Sequence, residues 1–218
     1  MLFLITGSSK GIGKALAEHF NNEGHGVITV GRSEGVTERG DLTDEKFRNG
    51  LVEKYEPDVF INNAGIAQEP FLDVLNVNGM VAVDLLQKFY QKMKKGNIIN
   101  IGSLATTQNG YQVKDLSSAS YILAKQLLHN ASYFLQEMHS TEVKVTSLEI
   151  GAVATTIKNR FFGKKIAESE YTEQTLRSVP MKTADVVQAV DWIIKQPQHL
   201  EVRSLQINNF VKPSGKLK

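Results

Sequence analysis

The 218-residue chain has no cysteine, so disulfide bonds, thiol chemistry and cysteine-ligated metals are all excluded. No apolar run approaches the roughly 20 residues that a membrane-spanning helix requires. The N-terminus also lacks the basic segment and longer apolar run of a secretory signal. We therefore expect a cytoplasmic protein that does not bind a membrane.

Neither sign of charge is in clear excess. The chain has 25 Lys and Arg against 23 Asp and Glu, a net charge of +2. This balance gives no strong attraction to nucleic acid or to an acidic surface, and we expect neither as a partner. The five histidines show no ligand spacing, so no metal site is predicted.

Short apolar, β-branched runs alternate with segments of helical period. Strands are predicted at about 2–5, 27–30, 58–61, 97–101, 143–148 and 204–207. Helices are predicted at about 13–22, 44–55, 73–95, 119–139 and 183–196. Apolar strands separated by helices indicate an α/β fold, with a parallel sheet covered on both faces.

No linker or repeat divides the chain, and its length suits one domain, which we place at 1–218. The charged and aromatic segment at about 152–182 is the longest without sheet character. It could be a substrate loop over a site or an ordinary surface loop.

One crossover is too short for a helix. Only nine residues, 32–40, separate the second strand from the sequence "DLTD". A helical return to a parallel strand takes about a dozen residues or more. We therefore predict a helix-free connection and a third strand that is short or missing.

A glycine-rich turn, "TGSSKGIGKA" (6–15), follows the first strand and begins the first helix. Gly7 allows a tight turn, while Gly11 and Gly13 let the backbone approach a pyrophosphate at the helix N-terminus. A P-loop is excluded, because the glycine spacing differs and an alanine follows the lysine. The turn predicts a dinucleotide site.

The identity of the dinucleotide depends on the residues near the end of the second strand. An NAD site usually places a carboxylate about 20 residues beyond the glycines, where it binds the ribose hydroxyls. Here Arg32 occupies that region, and Lys10 adds a second cation. We expect these cations to favour the 2′-phosphate of NADP(H), although Glu34 is close enough to support NAD(H).

Four further motifs follow in order, and they carry a resemblance to a known family. "NNAG" spans 62–65, "GNIINIGS" ends at Ser103, "YILAK" runs from Tyr121 to Lys125, and "IGAVAT" spans 150–155. With the glycine turn, this set resembles the short-chain dehydrogenase/reductase family over nearly the whole chain. The resemblance implies a Rossmann-type, doubly wound parallel sheet of six to seven strands, and hydride transfer between a nicotinamide cofactor and a carbonyl or alcohol.

The resemblance also implies roles for particular residues. Tyr121 would be the acid/base, Lys125 its partner and a ribose ligand, and Ser103 the donor to the substrate oxygen. Asn76 matches the asparagine of a proton relay, with Asn78 as the weaker candidate. The residues expected to bind the cofactor are Gly7, Ser9, Lys10, Gly11, Ile12, Gly13, Arg32, Asp41, Leu42, Asn63, Ala64, Gly65, Tyr121, Lys125, Gly151, Val153 and Thr155.

The sequence departs from the family pattern in the interval between Ser103 and Tyr121, which is longer than usual by roughly one helical turn. This makes Ser117, Ser118 and Ser120 alternative hydroxyl donors. The usual proline before Gly151 is also replaced, by Ile150.

The leading functional prediction is an NADP(H)-dependent carbonyl reductase or alcohol dehydrogenase acting on a small molecule. The trimmed second crossover suggests a nucleotide-sugar reductase or epimerase instead, and the long interval before Tyr121 suggests a non-catalytic dinucleotide sensor. Family members often associate through two helices that correspond here to 73–95 and 119–139. We therefore expect a homodimer or homotetramer.

Overall fold

A computed structural model describes residues 1–67, 69–106, 115–138, 142–155 and 181–209. Within them, seven parallel strands form one sheet in the order β3-β2-β1-β4-β5-β6-β7. The strands are β1 Leu2–Thr6, β2 Gly26–Gly31, β3 Glu38–Arg39, β4 Val59–Asn62, β5 Lys95–Ile101, β6 Glu142–Ile150 and β7 Ser204–Ile207. The predicted α/β class and doubly wound topology are confirmed.

The helices lie between consecutive strands or flank them. They are α1 Gly11–Asn22, α2 Glu45–Lys54, α3 Phe71–Leu75, α4 Ala82–Lys92, α5 Leu116–Met138 and α6 Thr183–Ile194. A π-helical segment, Asn76–Val81, joins α3 to α4, and a 3₁₀ turn, Leu104–Thr106, follows β5. No described helix combines the length and apolar character that crossing a bilayer requires.

Both faces of the sheet are buried, which explains why consecutive residues of β1 and β4 are apolar up to the last position of each strand. In β1, Phe3 and Ile5 face the core beneath α1 and α6, whereas Leu4 faces the core beneath α2, α4 and α5. Strand β4 alternates in the same way, with Phe60 on the second face. The central strands hold the site residues on a rigid support.

The short crossover after β2 is confirmed. No helix lies between Gly31 and Glu38, and β3 has only two residues. Two threonines stabilise the connection: the Thr37 amide donates to the Thr29 hydroxyl at 2.8 Å, and the Thr29 amide donates to the Thr37 hydroxyl at 3.2 Å. These bonds join the crossover directly to β2.

The predicted helix at 73–95 differs from the structure in detail. The helical run extends from residue 71 to 92 and changes to π geometry over Asn76–Val81. Most of the predicted substrate loop, residues 156–180, lies outside the described residues. Its two described edges meet, since Val153 forms a parallel bridge with Met181.

Candidate active site

The predicted motifs converge at one edge of the sheet, at the carboxyl ends of four neighbouring strands. The glycine turn follows β1, residues 63–65 follow β4, Ser103 follows β5 and residues 151–155 follow β6. Open α/β sheets bind ligands beyond this edge. The fold therefore brings together motifs that are far apart in sequence.

The glycine turn is tied directly to the loop after β4. Gly7 has a φ of +67°, and a Cβ at Gly7 would lie 2.8 Å from the Cα of Ala64, so only glycine fits. The Thr6 hydroxyl accepts from the amides of Asn63 and Ala64 at 3.0 and 3.1 Å. The Asn63 side chain donates back to the Thr6 carbonyl at 2.9 Å. Sequence reasoning missed Thr6 as a residue that joins the two loops.

The N-terminus of α1 has the features of a phosphate site. Its N-cap, Lys10, is extended and makes no side-chain hydrogen bond to the first turn. The backbone N–H groups of residues 11–13 have no partner within the helix and carry its positive dipole end. Thr155 lies beside the turn, because a Cβ at Gly11 would be 3.6 Å from the Thr155 Cγ2. This donor set fits the pyrophosphate of a dinucleotide.

Two arginines, Arg32 and Arg39, lie near the end of β2. The exposed Arg32 guanidinium lies 3.8 Å from an Asp41 carboxylate oxygen. The hydrogen bond from the Thr43 backbone lowers the pKa of Asp41, and the charge of Arg32 contributes less in the same direction. Glu34, the residue that would favour NAD(H), is 88% exposed and pairs with Arg39 at 3.4 Å. Arg39 is a further cation that sequence reasoning did not single out.

The backbone at Leu42 is held by a buried arginine on α2. The Arg48 guanidinium donates to the carbonyls of Leu42 and Thr43 at 2.7 and 3.1 Å. Its Nε donates to the Asp84 carboxylate of α4 at 2.5 Å. This arrangement fixes the loop on which the resemblance places two adenine contacts.

Lys125 binds the last residue of β5, two residues before Ser103. The buried Lys125 ammonium donates to the Ile101 carbonyl at 2.7 Å. The Ser103 hydroxyl oxygen accepts from the Ala105 amide at 3.2 Å and, among the described residues, the hydroxyl donates to no other group. Its proton is therefore available for a hydrogen bond.

Burial strongly perturbs Lys125. Desolvation lowers the pKa of its ammonium to about 8, although the negative charge of Glu149 acts in the opposite direction. A lysine with a pKa near neutral pH is common at functional sites.

Tyr121 lies one turn before Lys125 on α5, and its side chain is half-buried. Of the alternative donors, Ser118 is occupied at the start of α5, where its amide and hydroxyl both bond to Asp115 at 2.7 and 2.8 Å. Ser120 is fully buried. Residues 107–114, which form much of the long interval before Tyr121, lie outside the described residues.

The two candidate asparagines, Asn76 and Asn78, have different surroundings. The Asn76 side chain is exposed, whereas Asn78 is fully buried. Asn78 accepts from the Ile66 amide and donates to the Ile66 carbonyl, both at 2.8 Å. The burial of Asn78 could be predicted from the sequence, because Asn78 stands four residues after Val74 and seven before Leu85, two apolar residues of the buried face.

Together, the parallel sheet, the uncapped helix N-terminus and the close-packed glycine turn define a dinucleotide-binding α/β protein. Residues 2–165 match the family model described as short chain dehydrogenase. The chain belongs to the short-chain dehydrogenase/reductase family, a family of oxidoreductases.

Curated relatives align over nearly their whole length. The chain is 26% identical to an NADP-dependent 3-hydroxy acid dehydrogenase (YdfG) of Shigella flexneri, covering 95% of this chain and 94% of the relative. It is 29% identical to a serine 3-dehydrogenase of Rhizobium radiobacter, covering 94% and 92%. Among solved structures, a closed serine dehydrogenase complexed with NADP⁺ has a TM-score of 0.78 at 24% identity, covering 95% and 94% of the two chains. That likeness supports the fold.

Proposed function

We propose that the protein is an NADP(H)-dependent oxidoreductase that interconverts a carbonyl and an alcohol on a small molecule. The observation that carries this proposal is the binding of Lys125 to Ile101, two residues before Ser103, at the sheet edge that also holds the glycine turn. This contact brings the "YILAK" helix and the serine together beside the dinucleotide site.

The residues that would hold the cofactor lie around the glycine turn and the end of β2. The first turn of α1 would bind the pyrophosphate, and Arg32 and Lys10 would face the 2′-phosphate, as expected for NADP(H). The names of two relatives support this choice: one is an NADP-dependent 3-hydroxy acid dehydrogenase, and the other is a serine dehydrogenase solved with NADP⁺. When bound, the cofactor supplies or accepts a hydride.

Ser103 and Tyr121 would act on the substrate oxygen. As negative charge develops on this oxygen, a hydroxyl that donates to it stabilises the transition state, and the geometry leaves the Ser103 proton for that purpose. Tyr121 would transfer the proton as general acid or base.

A free tyrosine has a pKa of about 10. Lowering this pKa to neutral pH requires that the site favour the phenolate by roughly 3–4 kcal/mol. One ammonium about 4 Å away supplies ~1 kcal/mol in water but ~4 kcal/mol in a partly desolvated site. The burial of Lys125 supports the second of these two cases.

We propose Asn78, in place of Asn76, as the family asparagine. Its role would be structural support, because both ends of its amide bond to Ile66 in the loop that follows the "NNAG" motif. The names of the relatives support small 3-hydroxy acids and their keto acids as the first compounds to test.

The test is NADP⁺ reduction and NADPH oxidation across small hydroxy acids, keto acids, ketones, diketones and quinones. Tyr121→Phe should fold and bind NADPH but lose nearly all turnover, because phenylalanine cannot transfer a proton. Tyr133→Phe is the matched control, since Tyr133 is exposed on the same helix, and it should keep full activity. NADPH binding without turnover of any compound would indicate a dinucleotide sensor instead.

We also propose that the single domain assembles in the cytoplasm as a homodimer or homotetramer through α4 and α5. The support is a stripe of exposed apolar side chains on α5, spaced at four and seven residues: Leu116, Leu123, Leu127, Phe134 and Met138. Such a contiguous patch is typical of an interface. A monomer by light scattering at micromolar concentration would contradict the assembly.

A further inference from the structure

A buried carboxylate, which sequence reasoning did not predict, lies beneath the end of β5. Glu149, near the end of β6, has no exposed surface. Its Oε2 accepts from the Ser103 backbone amide at 2.7 Å and from the Thr106 hydroxyl at 3.3 Å. Its Oε1 accepts from the Ser147 hydroxyl at 2.6 Å and lies 3.0 Å from the His129 Nδ1. A buried carboxylate with this many partners is held in one position.

The space for this carboxylate depends on Gly102, the residue that follows β5. A Cβ at Gly102 would lie 2.4 Å from the Glu149 Oε1 and 2.5 Å from its Cδ. Any side chain there would displace the carboxylate from beneath the backbone. Gly102 therefore permits the hydrogen bond between Glu149 and the amide of the next residue, Ser103.

Glu149 and Lys125 hold the same three-residue segment from two sides. Lys125 donates to the carbonyl of Ile101, and Glu149 accepts from the amide of Ser103. The negative charge of Glu149 also raises the pKa of Lys125, against the larger effect of desolvation, which lowers it to about 8. The carboxylate thus acts on the geometry of the serine and on the charge of the lysine.

We propose that Glu149 is a positioning residue for catalysis, whose carboxylate orients Ser103 through its amide and keeps the Lys125 ammonium charged. The inference rests on the proposed function. Among the described residues, the titratable groups that face Glu149 are Lys125 and His129, both on α5. The segment after β5 contributes Ser103 and Thr106, and β6 contributes Ser147; none of these hydroxyls titrates near neutral pH.

Glu149→Gln tests the charge, because glutamine keeps the shape and an acceptor oxygen for the Ser103 amide. We expect kcat to fall about tenfold, since a hydrogen bond to a charged group is replaced by a neutral one. The high-pH limb of the kcat/KM profile should also move to lower pH, because Lys125 then loses its proton more easily. Glu142→Gln, at the exposed first residue of β6, is the matched control and should change neither quantity.

Glu149→Asp separates position from charge. The shorter side chain keeps the carboxylate but withdraws it from the Ser103 amide. We expect reduced kcat with a high-pH limb close to that of the wild type. If the glutamine variant fails to fold, wild-type kcat in the aspartate variant overturns the positioning role.

A measurement without turnover distinguishes this inference from the proposed function. In ¹³C-lysine NMR of the cofactor-free protein, the resonance missing from Lys125→Met identifies Lys125. It should titrate at lower pH in Glu149→Gln than in the wild type. An inactive wild-type protein with this shift would contradict the proposed function and leave only the effect of Glu149 on the charge of Lys125 standing. An unchanged Lys125 titration and an unchanged kcat in folded Glu149→Gln would overturn the inference.

Discussion

At the scale of single residues, Lys125 shows how a functional group can lower the stability of the fold that carries it. Desolvation lowers the pKa of its ammonium from 10.5 to about 8 in the folded protein. The unfolded chain therefore binds this proton more tightly, which penalises folding by about 3 kcal/mol at neutral pH. The penalty is complete below pH 8 and decreases as the pH rises from 8 toward 10.5.

The first prediction concerns Lys125→Met, which removes this penalty together with the activity. Between pH 7 and pH 10, the variant's free energy of unfolding should fall by about 2 kcal/mol relative to that of the wild type. Urea unfolding at the two pH values measures it. The lost bond to the Ile101 carbonyl lowers the variant's stability at both values and does not affect the comparison. A pH-independent difference would show that Lys125 is not desolvated.

The second prediction compares two asparagines that stand two residues apart. Asn78→Ala leaves both backbone groups of Ile66 without their partner, and a lost buried bond of this kind costs about 1–3 kcal/mol. Asn76→Ala removes an exposed side chain and should change stability by less than about 0.5 kcal/mol. Thermal unfolding and turnover of both variants test the proposal that Asn78, and not Asn76, is the family asparagine; equal effects would contradict it.

Some residues of the site were predictable from sequence and others were not. The glycine turn, Ser103 and Lys125 lie where their motifs indicate, because each follows a strand or begins a helix at a fixed position. Glu149 was missed for a physical reason: apart from Ser147, its partners lie on α5 and after β5, which are distant in sequence. A carboxylate within the apolar run "SLEI" of a buried strand was the available signal.

At the scale of elements, the strands were the most predictable features. All six predicted strands are present, and the seventh, β3, is the short strand expected after the trimmed crossover. The π-helical segment at Asn76–Val81 was not predicted. Its spacing differs from that of an α-helix by less than one residue per turn, so a single turn leaves no periodic trace in the sequence.

The third prediction concerns the tie between α2 and α4. Arg48→Leu removes the buried guanidinium from the half-buried Asp84 carboxylate, which keeps its pair with Lys88, and the lost hydrogen bonds should cost about 1–3 kcal/mol. It should also weaken NADPH binding, because Arg48 holds the Leu42 carbonyl. Arg203→Leu is the control: its pairs with Glu137 and Glu201 are partly exposed and should contribute less than about 1 kcal/mol. Urea unfolding and NADPH fluorescence titration measure the two effects.

At the scale of the whole molecule, cofactor binding should raise the free energy of unfolding. NADPH at 100 times its Kd would add about 2.7 kcal/mol to the free energy of unfolding. For a chain of this size, this raises Tm by roughly 5–10 °C. We expect a smaller shift with NADH at the same concentration, because Arg32 and Lys10 favour the additional phosphate.

The fourth prediction tests that preference with Arg32→Ser. The variant should lose most of the difference between the NADPH and NADH shifts in a thermal melt, while the NADH shift stays close to that of the wild type. Lys92→Ser removes an exposed cation at the end of α4 and should keep the full difference. A larger shift with NADH in the wild-type protein would contradict the assignment of NADP(H).

The helix-free crossover after β2 is a suitable site for the insertion of another domain. Gly35 forms its tip with a φ of +81°, and no atom lies within 4 Å of the position that a Cβ would take there. A circularly permuted fluorescent domain inserted after Gly35 would lie three residues from Arg32. Its brightness would then report the binding of NADP(H) at Arg32.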